Sequence, residues 1–125
     1  MTPEIQSALE TDRTIDITTT GRKSGQLRRI EIWFKNVAGR IYITGTPFKR
    51  DWYANMLAEP AMVFHIKKSV QADLPARARP IIDPAERAQV LHAPNMAWYH
   101  ENSDSSEAFV RDAPLVEVVF DETSP

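Results

Sequence analysis

The densest set of groups able to do chemistry in this chain lies in Ile17-Thr18-Thr19-Thr20-Gly21-Arg22-Lys23-Ser24-Gly25-Gln26-Leu27-Arg28-Arg29. Three hydroxyls end a β-branched run, two glycines open a turn, and two cations stand at its tip. Arg28 enters the next run on the same side of the hairpin. Turn N–H groups and the hydroxyls of Ser24 and the threonines can hydrogen-bond phosphate oxygens, while Arg22, Lys23 and Arg28 supply charge. This outlines an anion cradle, although a surface hairpin with charged tips has the same pattern. The spacing is not that of a G-x-x-x-x-G-K-[ST] loop, and no G-x-G-x-x-G occurs, so those two phosphate-binding loops are excluded.

A second constellation is Arg50-Asp51-Trp52-Tyr53-Ala54-Asn55 with Leu57-Ala58-Glu59-Pro60. Trp52 and Tyr53 on a short helix can wall a flat ring, and Asn55 can satisfy backbone groups or a ligand carbonyl. Aromatics at this spacing also serve as ordinary core. His65 alternates with Phe64 in a strand and reads as an ordinary exposed or half-buried residue. His92 and His100 are too far apart in sequence for a local metal pair, and no carboxylate spacing completes a site, so no metal is expected. With no cysteine in the chain, thiolate zinc sites, iron–sulfur clusters, disulfides and cysteine nucleophiles are excluded.

Charge is unevenly spread. The net charge is −2, yet Arg22 to Arg50 holds eight bases against the single acid Glu31, whereas Glu101 to Pro125 holds seven acids against Arg111. A basic stretch in an otherwise acidic chain points to a small anionic ligand, since paired Arg and Lys hold phosphate and carboxylate well. A solvated basic face, neutralised in part by the acidic end, is the competing reading. General nucleic-acid binding is not expected: the acidic end opposes it and no RNP-type pattern accompanies Trp33 and Phe34.

Elements of known kind must position these groups. At 125 residues, 42% hydrophobic and 26% charged, the chain reads as one domain over 1–125. Its parts include an N-terminal helix or arm over 1–13, and an acidic loop and last strand over 101–125. Thr2-Pro3-Glu4 reads as the cap of a helix over Pro3 to Leu9. Thr14 to Thr20, Arg28 to Asn36 and Arg40 to Gly45 alternate as strands, and the glycine-bearing turns between them predict a three-strand meander. Asp51 to Glu59 predicts a helix of about two turns ending before Pro60. Ala61 to Ile66 and Val70 to Arg79 predict a hairpin, with Pro75 marking its second arm as an edge or bulged strand. Asp83-Pro84-x-Glu86 starts a helix running to about His92. Ala93 to Ser106 reads as a loop with a turn or two of helix around Met96 to Tyr99, and Leu115 to Phe120 as a central strand. Six or so strands with short helices predict a small β-barrel, mainly β within the α+β class. No apolar run approaches the ~20 residues of a membrane span, and Met1 to Glu10 lacks a signal-peptide layout, so a cytoplasmic protein without an integral membrane segment is expected.

Thr18 to Arg28, a strand pair, and Trp52-Tyr53-x-Asn55-x-Leu57-Ala58-x-Pro60 together resemble the deazaflavin (F420)-dependent nitroreductase family, whose motifs read approximately T-T-T-G-R-K-[ST]-G-x-x-R and W-Y-x-N-L-x-A-N-P. The resemblance covers about Ile15 to Leu91. It implies an antiparallel split β-barrel of about six strands, related to FMN-binding and pyridoxamine-phosphate-oxidase folds. It also implies a reductase that uses F420H2 as hydride donor to nitro, quinone or enone acceptors, and a possible homodimer. By the same resemblance Arg22, Lys23 and Arg28 match positions that hold the cofactor's phosphate and acidic tail, with Ser24 and Gln26 nearby. Thr44, Gly45 and Thr46 match the strand end beside the deazaflavin ring, and Trp52, Tyr53 and Asn55 match the second motif. Thr46 to Arg50 is shorter than the family's glycine-rich stretch, and Lys49 restores a cation there. Family members place C-terminal tyrosines over the ring, and Met96-Ala97-Trp98-Tyr99-His100 is the comparable cluster. Tyr99 and His100 are accordingly the candidate proton or hydrogen-bond donors to a substrate oxygen.

Two other readings keep the barrel. One binds FMN, whose single phosphate needs fewer cations. The other is a non-catalytic carrier of heme, a fatty acid or another amphipathic anion, with His65, His92 and His100 as the candidate heme ligands.

Overall fold

A computed structural model describes residues 1–121. Strand β1 (Thr14–Thr20) buries Ile15, Ile17 and Thr19 and turns the alternate residues outward, as the two-residue period of a strand demands. It pairs along its whole length with antiparallel β2 (Leu27–Trp33), from Thr14 opposite Trp33 to Thr20 opposite Leu27. Phe34 then interrupts the ladder. Its ring is buried edge-on against Phe64 at 5.4 Å, and β3 (Lys35–Val37) begins beyond it. The chain reverses at Ala38 and Gly39, both at positive φ (53° and 85°), the backbone that a two-residue hairpin loop requires, and returns as β4 (Arg40–Thr44).

With β5 (Ala61–Ile66), β6 (Ala72–Pro80) and β7 (Leu115–Phe120), the strands form one antiparallel sheet in the order β2-β1-β5-β6-β7-β4-β3. The two edge strands, β2 and β3, are consecutive in the chain and joined through Phe34 alone. The sheet therefore curls until its edges approach each other, giving a seven-stranded half-barrel, mainly β with short helices around it. The strand predicted over Arg28 to Asn36 exists as two pieces because burial of Phe34 bends it.

That bend corrects the predicted meander. β4 pairs with β3 and β7, on the opposite side of the sheet from β1, and not with the β1–β2 pair. A second correction concerns Pro75, which lies on the interior strand β6 opposite Val63. Its carbonyl accepts from Asp121 N–H at 3.0 Å, just past the last β7 residue. In an antiparallel ladder a residue's N–H and C=O face the same neighbour, so the missing N–H faces the point where β7 stops and no bond to β5 is lost.

Helix α1 (Pro3–Thr11) starts at Thr2, whose hydroxyl accepts from Ile5 N–H at 3.2 Å, and buries Ala8 and Leu9 against the barrel. Helix α2 (Asp51–Ala58) sends Trp52 and Met56 into the main core and ends just before Pro60. Asp83 caps α3 (Pro84–Leu91) by accepting from Glu86 N–H at 2.9 Å. A 3-10 turn (Pro94–Met96) leads into α4 (Ala97–Glu101). The acidic stretch expected to be loop contains α5 (Ser106–Asp112), capped by Ser105 and anchored by buried Phe109; residues 122–125 of that stretch lie outside the described residues. Leu91, Met96, Tyr99, Phe109 and Leu115 form a second core, distinct from the barrel interior. Buried Arg87 ties it together by donating to the carbonyls of Ile81, Val110 and Ala113. No helix among the described residues is long and apolar enough to cross a membrane.

Candidate functional site

The turn between β1 and β2 is closed by its own backbone: Gly21 N–H donates to Gln26 O at 2.7 Å and Gly25 N–H to Gly21 O at 2.8 Å. Gly25 has φ +70°, and a Cβ on Gly21 would stand 2.7 Å from Ser24 Oγ, so both glycines are required by geometry. Helix α2 fastens this turn from below. Asn55 Oδ1 accepts from the Arg22 N–H at 3.1 Å and from its guanidinium at 2.9 Å, and Asn55 Nδ2 donates to Thr19 Oγ1 at 3.3 Å. Asn55 thus orients Arg22, which also meets Asp51 at 3.3 Å.

Between the turn, the inward face of β2 and the start of α2 lies a cleft of about 640 Å³, lined by Thr19, Gly21, Arg22, Lys23, Ser24, Arg28, Ile30, Lys49, Arg50, Asp51, Trp52 and Asn55. Five cations and one acid face it. Apart from the Arg22–Asp51 contact, none of these cations meets a carboxylate among the described residues. Three acids of the C-terminal segment are engaged elsewhere: Glu117 with Arg79 and Arg40, and Glu107 and Asp112 with Arg111. A concave surface with uncompensated positive charge attracts anions.

A smaller pocket of about 240 Å³ adjoins it, lined by Ile32, Trp33, Thr44, Gly45, Thr46, Arg50, Trp98 and Tyr99. Trp33 stands edge-on to Trp98 at 5.4 Å and to Tyr99 at 6.4 Å, making an aromatic wall. Tyr99 is buried and stacked on Phe109 at 5.7 Å, and Lys35 Nζ lies 5.5 Å from its ring centre. Burial pushes the Tyr99 phenol up to about 12, with nearby Arg50 acting in the opposite direction. Its hydroxyl is therefore a proton-bearing donor throughout the neutral range.

The residues singled out in the sequence separate into three groups. Arg22, Lys23, Ser24, Arg28, Lys49, Trp52 and Asn55 line the cationic cleft, and Thr44, Gly45, Thr46 and Tyr99 line the aromatic pocket. Gln26, Tyr53 and His100 line neither. Gln26 closes the turn through its backbone, and Tyr53 packs half-buried against Trp52 and the main core. His100 Nε2 meets the Leu91 carbonyl at 2.7 Å, and its ring stacks on His92 at 5.4 Å. His65 is buried rather than open, held between Thr18 Oγ1 at 2.7 Å and Asp73 Oδ1 at 2.6 Å on the outer sheet face. Among the described residues no group of three or more His, Cys, Asp or Glu side chains is arranged to hold a metal ion.

Sequence reasoning left Ile30, Ile32 and Trp33 out of the site, and named Arg50 and Trp98 only as members of the second constellation and of the C-terminal aromatic cluster. The period of two from Arg28 was the available signal for Ile30 and Ile32.

The curled antiparallel half-barrel is the fold of the split-barrel flavin and deazaflavin proteins. The profile of the F420H(2)-dependent quinone reductase family matches residues 3–116, and the chain belongs to that family. It is an F420H2-dependent oxidoreductase. Solved structures agree on the fold. One described as an F420 reductase is 20% identical, with a TM-score of 0.63 over 95% of this chain and 94% of that one. Another, described as an F420-H2 dependent reductase, is 23% identical with a TM-score of 0.59 over 86% and 94%. A third, described as a domain-swapped dimer, is 22% identical with a TM-score of 0.57 over 86% and 80%.

The residues present fit that cofactor. The phosphate and acidic tail of F420 require several cations without acid partners, and its flat ring requires an adjoining pocket of low polarity. The two clefts supply both, and the buried Arg50 Nε between them has no hydrogen-bond partner among the described residues.

Proposed function

We propose that this chain reduces a conjugated small-molecule acceptor, a quinone, nitro compound or enone, using F420H2. The observation that carries the reading is the set of cations Lys23, Arg28 and Lys49 at the cleft beside the β1–β2 turn, without acid partners among the described residues, next to an aromatic pocket. Lys23, Arg28 and Lys49, with Arg22 oriented by Asn55, would hold the phosphate and acidic tail through charge-assisted bonds. Thr44, Gly45 and Thr46 would flank the ring. When bound, the reduced deazaflavin supplies the hydride. Trp33 and Trp98 offer flat faces to a flat acceptor, and the Tyr99 hydroxyl donates a proton or hydrogen bond to the acceptor oxygen where negative charge develops. His100, bound to the Leu91 carbonyl, shapes the wall behind Tyr99 and takes no proton-donor role in this reading.

The unit proposed to do this is the whole chain as one cytoplasmic domain, assembled as a homodimer. The dimer rests on the edge strand β2, which exposes apolar Leu27 away from the cleft, and on the likeness to a domain-swapped dimer. Light scattering of the purified protein should give twice the chain mass; a monomer would remove the dimer and leave the cofactor reading intact.

The decisive experiment is a parallel equilibrium titration with F420 and FMN at low and high salt. Preferential F420 binding that weakens with salt is expected. Equal or tighter FMN binding would transfer the cleft to the flavin reading, and binding of neither would sink the reductase assignment in favour of a carrier.

A further inference from the structure

We infer that Arg50 recognises the polar edge of the cofactor ring, and is not one of the cations that hold its phosphate and acidic tail. The inference rests on the reading above and assigns a role to a residue outside the turn motif.

Among the described residues, Arg50 alone lines both clefts. The other cations of the cationic cleft stand on the β1–β2 hairpin or on the loop before α2, and Lys23, Arg28 and Lys49 are solvent-exposed. Arg50, like Arg22, has its guanidinium held in place before any ligand arrives, but unlike Arg22 it meets no carboxylate among the described residues. Its Nη2 donates to Thr46 O at 3.1 Å and to Thr46 Oγ1 at 3.0 Å, and its central carbon lies 3.6 Å from the Phe48 ring centre. It also passes over Gly45, where a Cβ would stand only 3.0 Å from the guanidinium carbon. Gly45 therefore makes room for the charge at the strand end that floors the aromatic pocket.

What remains unsatisfied is informative. Arg50 meets no carboxylate within ion-pair distance among the described residues, its Nε is buried without a partner, and burial holds the group below the usual arginine range. A partly desolvated, immobilised cation with spare donors is costly unless something planar and electron-rich completes it. The aromatic pocket is the place for a flat ring, and the ring's carbonyl-bearing edge has the acceptor oxygens and the partial negative charge that such a guanidinium complements. Flexible, hydrated cations suffice for the phosphate, and Lys23, Arg28 and Lys49 in the cationic cleft supply them.

The test separates ring from tail. Fluorescence titrations would compare F420 with a deazaflavin bearing only its sugar-alcohol chain and no phosphate, on wild type, R50Q, R50K, G45A and the K23A/R28A double variant. R50Q should weaken both ligands by a similar factor of ten or more, and R50K should recover only part of the loss. K23A/R28A should weaken F420 while leaving the phosphate-free ring within about twofold. G45A, which displaces the guanidinium without deleting it, should follow R50Q and guards against an R50Q variant that fails to fold by circular dichroism. Loss confined to F420 in R50Q and G45A would place Arg50 with the phosphate cations and overturn the inference. So would unchanged binding in both variants, or no binding of the phosphate-free ring to wild type. If wild type fails to bind F420 itself, the cofactor reading falls first, and this inference with it.

Discussion

The two faces of the β1–β2 ribbon are built from adjacent residues yet treat their charges in opposite ways. On the outer face Arg29 Nε meets Asp16 at 3.0 Å, and Lys67 bridges Asp16, at 2.6 Å, and Glu31. Thr18, His65 and Asp73 form a hydrogen-bonded chain across three strands there. Lys67 and Arg29 hold the Asp16 carboxyl below the usual carboxylate range, the Lys67 hydrogen bond being the larger cause. One residue away, Arg28 turns to the inner face with Ile30 and Ile32, and there Arg28, Lys23 and Lys49 face a cleft with no acid partner among the described residues. On the outer face Arg29 and Lys67 are neutralised by carboxylates of adjacent strands. The cations left unpaired mutually repel, and an anionic ligand relieves that repulsion. The contrast separates a binding surface from a merely basic one, which net charge alone does not do.

The largest expected effect breaks the inner side of this comparison. K23A/R28A should raise the F420 dissociation constant at least a hundredfold, at about 1.5 to 3 kcal/mol for each charge-assisted contact, while circular dichroism and thermal melting stay as in wild type. Affinity unchanged in a folded variant would mean that the unpaired cations hold nothing. Next, Y99F should lower kcat by about a hundredfold with little change in cofactor affinity, because the ring and its stacking on Phe109 survive and only the proton donor is lost. A steady-state comparison that shows kcat preserved removes Tyr99 from the chemistry.

The same phenol predicts an alkaline weakness. Its pKa is about 12 in the fold against about 10 unfolded. Above pH 10 the unfolded chain loses the proton first, so stability is full below pH 10 and falls by at most about 3 kcal/mol as pH rises toward 12. Denaturant melts of wild type and Y99F across that range check it, since the Y99F curve should be flatter. The smallest effects belong to the outer face. R29A should cost no more than about 1 kcal/mol, as exposed ion pairs do, and leave F420 affinity within twofold. A large loss of affinity in R29A would erase the distinction between the faces.

Local order was legible wherever side-chain period and capping agree. β1 over Thr14 to Thr20 and β5 over Ala61 to Ile66 follow from alternation, and α3 follows from Asp83-Pro84-x-Glu86. The tight turn with cations at its tip was legible too, because its glycines, hydroxyls and cations are contiguous. Strand order was not, since alternation says which way a side chain points but not which strand lies alongside. Burial of Phe34 against Phe64, residues 30 apart in sequence, bends the chain and sends β4 to β7. His100 lies outside both clefts, and spacing could not show this because its partner, the Leu91 carbonyl, becomes a neighbour only after α3 and α4 dock.

By itself the sequence determined an all-antiparallel barrel class, a positively charged turn and a set of aromatics, because each depends on residue type and short spacing. Only the tertiary structure decided which cations lack acid partners, that the aromatics Trp33, Trp98 and Tyr99 come together, and that Arg50 stands between the two clefts. Those are properties of pairs far apart in the chain. Their Coulomb and packing energies depend on distance in space, which the curl of the sheet sets.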